Sequence, residues 1–238
     1  MLAFYSLALI VVFLGTVINL PGSLHINPLL LHFYEPHKVL FLTTLFLVMG
    51  ALARIIIFWK DILWEDALGL AIYGLMGGIV GGYFVGIIPQ KVIIAIFILS
   101  GCMYIYKYFK KVTHVDTKNK HYGLFVSGFI TAFLQSFGMS VGPLRQGYLF
   151  AKGHSLAVVQ GTIAVVFLAS GIGMLSTRLI HESIPFHDML SILVLFPFML
   201  LTVFLGKKVI YKLPKKVTDY IIIYSLIFSL ALAIPYLF

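Results

Sequence analysis

Residues Gln135-Ser136-Phe137-Gly138-Met139-Ser140-Val141-Gly142-Pro143-Leu144-Arg145-Gln146 decide how this chain is read. They interrupt a long apolar segment, Tyr122–Phe150, with two glycines and a proline, and place an arginine just past the interruption. Proline lacks a backbone donor and clashes with the preceding turn, so a helix is broken or kinked there. A matching interruption, Asn19-Leu20-Pro21-Gly22-Ser23-Leu24-His25-Ile26-Asn27-Pro28, breaks the segment Phe4–Tyr34.

The two interruptions belong to a duplication. Setting Pro89 on Pro214 puts Gly81 on Gly206, Lys91 on Lys216 and Ser100 on Ser225. Shifting the register by three brings Asp66 onto Asp188, Trp64 onto Phe186 and Ile62 onto Ile184. A further small shift aligns Thr44 with Thr162 and the kink at Pro28 with the one at Pro143. Duplicated halves with broken helices near the bilayer midplane are how many secondary transporters build a binding site.

Composition fixes the medium. The 238 residues are 61% hydrophobic and 11% charged, against about 25% charged in ordinary soluble domains. Apolar runs recur at Val39–Trp59, Ala67–Ile88, Val92–Phe109, Leu156–Thr177, Met189–Gly206 and Val217–Phe238, and a span needs about 17–25 such residues. These runs show almost no polar face, which a soluble helix would have. Cys102 is the one cysteine, so neither a disulfide framework nor a cysteine metal site is expected. Met1–Ile10 lacks the basic start and small-residue cleavage site of a removable signal peptide. The net charge of +9 does not point to nucleic acid, because the lysines gather at span ends.

Those lysines also choose between two threadings. If each broken segment crosses once, giving eight crossings, the basic residues divide seven against eight. If each dips in and returns as a re-entrant hairpin, Lys60, the lysines of 107–120, Lys152 and those of 207–216 share one side, twelve against Lys38, Lys91 and Arg178. The second division is a strong positive-inside pattern. Each half then has three crossings, an odd number, so the second half is inverted. The basic loops face the cytoplasm and both termini lie outside.

The hairpin tips are where chemistry is expected. A broken helix leaves backbone N–H groups that need a partner in hydrocarbon, and a helix N-terminus favours an anion. Asn27 and Ser140 stand beside the two tips. Arg145 lies about 5 Å along the returning helix from the second tip, where a guanidinium is costly and functional by default. It suits bidentate pairing with an oxyanion. His25, in the first tip, is the residue able to carry a proton in the physiological range. Thr43, Thr44, Gln160 and Thr162 fall at equivalent places in the next helix of each half and are read as lining the same cavity. Arg54 and Arg178, nearer span ends, are read as snorkelling to the surface. Gly74, Gly78, Gly82 and Gly86, with Gly77 and Gly81 beside them, let helices approach closely. Packing within the chain is the first reading of that ladder, and a homodimer face the second.

Another class has one cluster in its favour. His32, Glu35, His37, His181, Glu182, His187 and Asp188 share one face in the hairpin threading, and imidazoles with carboxylates are the ligands of a hydrolytic zinc centre. No H-E-x-x-H, nucleophile arrangement or phosphate-binding glycine loop accompanies them.

The residues that carry a family likeness run through both halves. They are Gly15, Gly22, Asn27-Pro28-Leu29-Leu30, Thr43-Thr44, Ile62-Leu63-Trp64-Glu65-Asp66, Gly77-Gly78, Gly81-Gly82 and Ile88-Pro89, repeated as Gly138, Gly142-Pro143, Gly161-Thr162, Gly206 and Leu213-Pro214. Across nearly its whole length the chain resembles the sulfite exporter TauE/SafE family. The departure is at the first break, where the family's adjacent glycines are replaced by Pro21-Gly22-Ser23-Leu24-His25. The resemblance implies transport of small anions, sulfite and organosulfonates among them, with proton coupling.

The expectation is therefore an all-α polytopic protein of the cytoplasmic membrane with two inverted repeats, 1–111 and 122–238, joined by a basic linker at 112–121. Each repeat holds a re-entrant helical hairpin and three transmembrane helices. It is read as a secondary transporter working by alternating access, with an anion channel or a membrane metalloenzyme as alternatives. Substrate contacts are expected at Asn19, Ser23, His25, Asn27, Thr44, Gln135, Ser140, Arg145, Gln160 and Thr162. A small anion and the bilayer are the expected partners, with no nucleic acid, no cofactor and no metal.

Overall fold

The computed structural model describes residues 9–10, 12–13, 16, 22–110, 120–139, 142–181, 186–209 and 224, and every element among them is helical. Helices α1 (Gly22–Leu30) and α2 (Pro36–Ile57) meet at a turn, and a 3-10 turn (Trp59–Asp61) leads into α3 (Trp64–Val85) and α4 (Gln90–Lys110). Then come α5 (Lys120–Phe125), a π-helical turn (Val126–Ile130), α6 (Thr131–Ser136), α7 (Gly142–Ala151), α8 (Leu156–His181), α9 (Phe186–Leu193) and α10 (Phe196–Val209). Three of the described helices are long and apolar enough to cross a membrane: Pro36–Ile57, Trp64–Val85 and the Leu156–Ile180 part of α8. Of the expected span 217–238, all but Tyr224 lies outside the described residues, as does most of the linker 112–121.

Local sequence explains where the elements start and stop. Pro36 opens α2, where its missing N–H costs nothing. Glu65 and Asp66 occupy the first turn of α3, at the positive end of its dipole. Gly138 and Gly153, both at φ 79°, follow the ends of α6 and α7. Their left-handed backbone closes the last turns, with Gly138 N–H donating to the Gln135 carbonyl at 2.8 Å and Gly153 N–H to that of Phe150 at 2.9 Å. The apolar run Met189–Gly206 is divided between α9 and α10. Pro197 is the reason, because its ring would strike the carbonyl four residues back, at Leu193.

The glycine ladder welds the middle of the bundle together, and it uses two faces. A methyl group at Gly78 would stand 2.3 Å from the Ser170 carbonyl oxygen, and one at Gly82 2.2 Å from Thr177 Oγ1, so Gly78 and Gly82 press α3 against α8. A methyl at Gly77 would stand 2.3 Å from the Phe129 carbonyl oxygen, and one at Gly81 2.5 Å from Ser136 Oγ, so these two seat the π turn and α6. Without a large hydrophobic drive in lipid, backbone approach of this kind is a main source of helix association. Gly74, Gly77, Gly78, Gly81 and Gly82 thus serve packing within the chain.

The same contacts give directions. Gly74, Gly78 and Gly82 meet Val166, Ser170 and Met174 in step, so α3 and α8 run parallel. Leu63 N–H donates to Thr162 Oγ1 at 3.1 Å near the start of α8, while Arg178 near its end bonds Leu40 and Thr44 near the start of α2. Helices α2 and α8 are therefore antiparallel. At the 58–63 end, Lys152 Nζ donates to both carboxylate oxygens of Asp66 at 2.9 and 3.0 Å. Lys207 Nζ there reaches Asp61 Oδ2 at 2.7 Å and the Ile57 carbonyl at 2.9 Å. Leu124 lies 3.3 Å from where a Gly69 methyl would be, one turn into α3 from the same end. The opposite, 86–89 end carries the 31–35 turn and the close of α8.

Candidate functional site

Arg145 is fully buried, on the second turn-length of α7 beyond the Pro143 break. Its Nε donates to Thr131 Oγ1 at 2.9 Å, and its guanidinium carbon lies 4.5 Å from the centre of the Phe167 ring. Thr131 gives its own proton to the Ser127 carbonyl at 2.6 Å, which aims its lone pairs at the arginine. Nη1 and Nη2 of Arg145 are buried and have no hydrogen-bond partner among the described residues. A buried guanidinium with two idle donors is far from its minimum. End-on, Nη1 and Nη2 can each donate one hydrogen to two oxygens of a single oxyanion, beside the positive end of α7.

Other buried polar atoms near the breaks are idle too. Among the described residues both polar side-chain atoms of Asn27 on α1 lack partners, as do Gln135 Oε1 and Thr43 Oγ1. Gln135 is one helical turn beyond Thr131, on the same face. Ile26 and Leu30 of α1 share one buried cluster with Phe137, and Met139 packs on it, so α1 and the second break meet in a common core. Ser23 is buried on α1. Of His25 only the helical backbone is described, and Asn19 and Ser140 lie outside the described residues.

Thr44 and Thr162 lie towards opposite ends of α8. Thr162 accepts the Leu63 N–H near the 58–63 end, whereas Thr44 accepts from Arg178. Thr162 and Arg178 are separated along α8 by about 24 Å at 1.5 Å per residue. Gln160 is buried beside Thr162, at that first end. The alignment of the halves put the threonines at like places in sequence, but antiparallel helices carry like places to opposite ends.

Arg178 corrects its own reading most sharply. It does not snorkel, being only 1% exposed. Nη1 donates to the Leu40 carbonyl at 2.6 Å and to Thr44 Oγ1 at 2.7 Å, and Nη2 donates to the Ser136 carbonyl at 2.5 Å. Ser136 ends α6, so Arg178 satisfies a carbonyl freed by the break and ties it to α2. The apolar run ends at Thr177, and only the continuation of the helix to His181 keeps Arg178 inside α8.

Of the juxtamembrane cluster, His32 Nδ1–H bonds the Pro28 carbonyl at 3.0 Å, and Glu182 and the side chains of His181, His187 and Asp188 lie outside the described residues. Among the described residues no three His, Cys, Asp or Glu side chains group to hold a metal. Neither a curated protein nor a solved structure matches the chain. A family model does, over residues 4–234, nearly the whole length: the chain belongs to the sulfite exporter TauE/SafE family.

Proposed function

We propose that this protein carries a small sulfur oxyanion, sulfite or an organosulfonate, across the cytoplasmic membrane as a proton-coupled secondary transporter using alternating access. The observation that carries the reading is Arg145, buried, anchored through Nε, and with both terminal nitrogens unpaired among the described residues. The anion would take those donors, with Asn27 and Gln135 supplying neutral hydrogen bonds. In this reading His25, on the first broken helix, carries the coupled proton.

The architecture proposed is a pair of inverted repeats, 1–111 and 122–238, each with a re-entrant hairpin. Its support comes from the 58–63 end. Leu124 and Lys152 both contact the first part of α3, as a stretch that leaves that end and returns to it requires. Lys207 joins them through Asp61. Eight plain crossings would put Lys152 and Lys207 on the side away from Asp61 and Asp66. Two pairings repeat at the spacing of the halves. Thr16 and Thr131 are both buried and bond the carbonyl four residues back. Lys38 and Lys152 both lie 4.5 Å over the ring of a tyrosine four residues earlier. With the basic 58–63 end in the cytoplasm, the positive-inside pattern is met.

The test is flux in proteoliposomes. Uptake of labelled sulfite should saturate and be accelerated by unlabelled sulfite inside. Conductance that does not saturate and shows no counterflow would assign a channel instead.

A further inference from the structure

We infer that Arg178 is a positioning residue that latches the second helix break onto α2 and closes the path from the 86–89 end to Arg145. The inference rests on the anion site proposed above.

Three observations place the latch. Arg178 joins three segments at one point: α8 through its own backbone, α2 through Leu40 and Thr44, and the end of α6 through the Ser136 carbonyl. It stands between Arg145 and the 86–89 end. Phe167, which packs on Arg145, precedes Arg178 by eleven residues of α8, about 16 Å. Thr131, which holds Arg145, precedes Ser136 by five residues, about 7.5 Å on the same helical run. Finally, Gly82 and Gly81 let α3 close over this level, against Thr177 and Ser136.

The acceptors are two carbonyls and a hydroxyl, groups whose bonds to a guanidinium are charge-assisted yet exchangeable as rigid helices shift. Thr44 is held ready by donating its own proton to the Leu40 carbonyl at 2.6 Å. Thr131 is set for Arg145 in the same way. Arg145 thus keeps Nη1 and Nη2 open among the described residues, whereas Arg178 uses Nη1 and Nη2 to tie the break to α2. Opening towards the 86–89 end requires the Arg178 bonds to Ser136 or to α2 to part, since a population shift needs contacts that differ between the two states.

The experiment reads access to the tip without sulfite. Met139→Cys, made in a Cys102→Ser background because Cys102 is exposed, is labelled with a membrane-impermeant methanethiosulfonate in vesicles of each orientation. Arg178→Gln should raise the labelling rate at least about tenfold, the factor expected for losing even one of its three charge-assisted hydrogen bonds, and from one face only. Thr44→Val keeps Arg178 and removes one acceptor, and should raise labelling from that same face by less. Should Arg178→Gln fail to fold, Thr44→Val decides alone. Rates equal to the parent, or a rise that is equal from both faces, would overturn the latch. Loss of the anion site would show separately, as absent sulfite binding by the parent protein, with labelling unaffected.

Discussion

Gly78→Ala compared with Gly50→Ala isolates what the glycine seam contributes. A methyl at Gly78 would meet the Ser170 carbonyl oxygen at 2.3 Å, its carbon at 3.1 Å and the Ser170 Cα at 3.2 Å. Those are backbone atoms of another helix and cannot rotate away, so α3 and α8 must part by roughly 1 Å to reach ordinary contact distance. Parting also loosens the seam at Gly74 and Gly82. Overpacking of this kind costs about 1–3 kcal/mol, and a rigid backbone obstacle belongs near the upper figure. Alanine returns about 0.8–1 kcal/mol of helix propensity, leaving a net loss of about 1–2 kcal/mol. Gly50, on α2, has nothing within 4 Å of its added methyl, so the propensity gain stands alone. The two variants should therefore differ by about 2–3 kcal/mol, Gly78→Ala below the parent and Gly50→Ala at or above it. Unfolding in mixed micelles with rising SDS reads this directly. Equal midpoints for the two variants would refute the packing argument.

Further expectations follow from individual bonds. Thr131→Val keeps the volume but removes the acceptor of Arg145 Nε, and should weaken sulfite binding about tenfold; unchanged affinity in a titration would show that Thr131 does not orient the arginine. Gly138→Ala forces a Cβ into left-handed backbone, and should lower stability by about 1–2 kcal/mol in the same SDS assay. Burial alone would lower the Lys152 pKa, but hydrogen bonding and the Asp66 charge outweigh it and raise it above 10.5. A raised folded pKa means stability held below pH 10.5 and lost as pH climbs through the higher value. Asp66→Asn should cost at most about 1 kcal/mol near neutrality, and its difference from the parent should vanish in strongly alkaline buffer, which thermal melts at several pH values can check.

The sequence carried the helix breaks plainly because proline and αL glycine act locally: Gly138, Pro143 and Pro36 stop or start helices wherever they stand. It carried the glycine ladder too, but not that Gly77 and Gly81 serve one neighbour and Gly78 and Gly82 another, since the choice depends on which helices arrive on either side. Arg145 was legible as a buried charge beyond a break. Arg178 was not, because three residues from a helix end is a snorkelling position in isolation, and only the antiparallel seating of α2 supplies Leu40 and Thr44. The partner of Thr162 was illegible for the same reason. Its hydroxyl is used by the Leu63 N–H, a donor that the turn between α2 and α3 leaves unpaired. The π turn at 126–130 left no mark in composition, yet it falls where Gly128 and Phe129 press on Leu70, Tyr73 and Gly77.

The central claim is that Arg145 supplies the donors that hold the transported anion. Calorimetric titration of sulfite into the purified protein and into Arg145→Gln tests it most directly, with the SDS midpoint of each confirming a folded sample. Saturable binding by the parent that weakens about a hundredfold or more in the variant is the predicted result, the size set by loss of one partner of a buried charge pair. Equal binding by the two proteins would contradict the account.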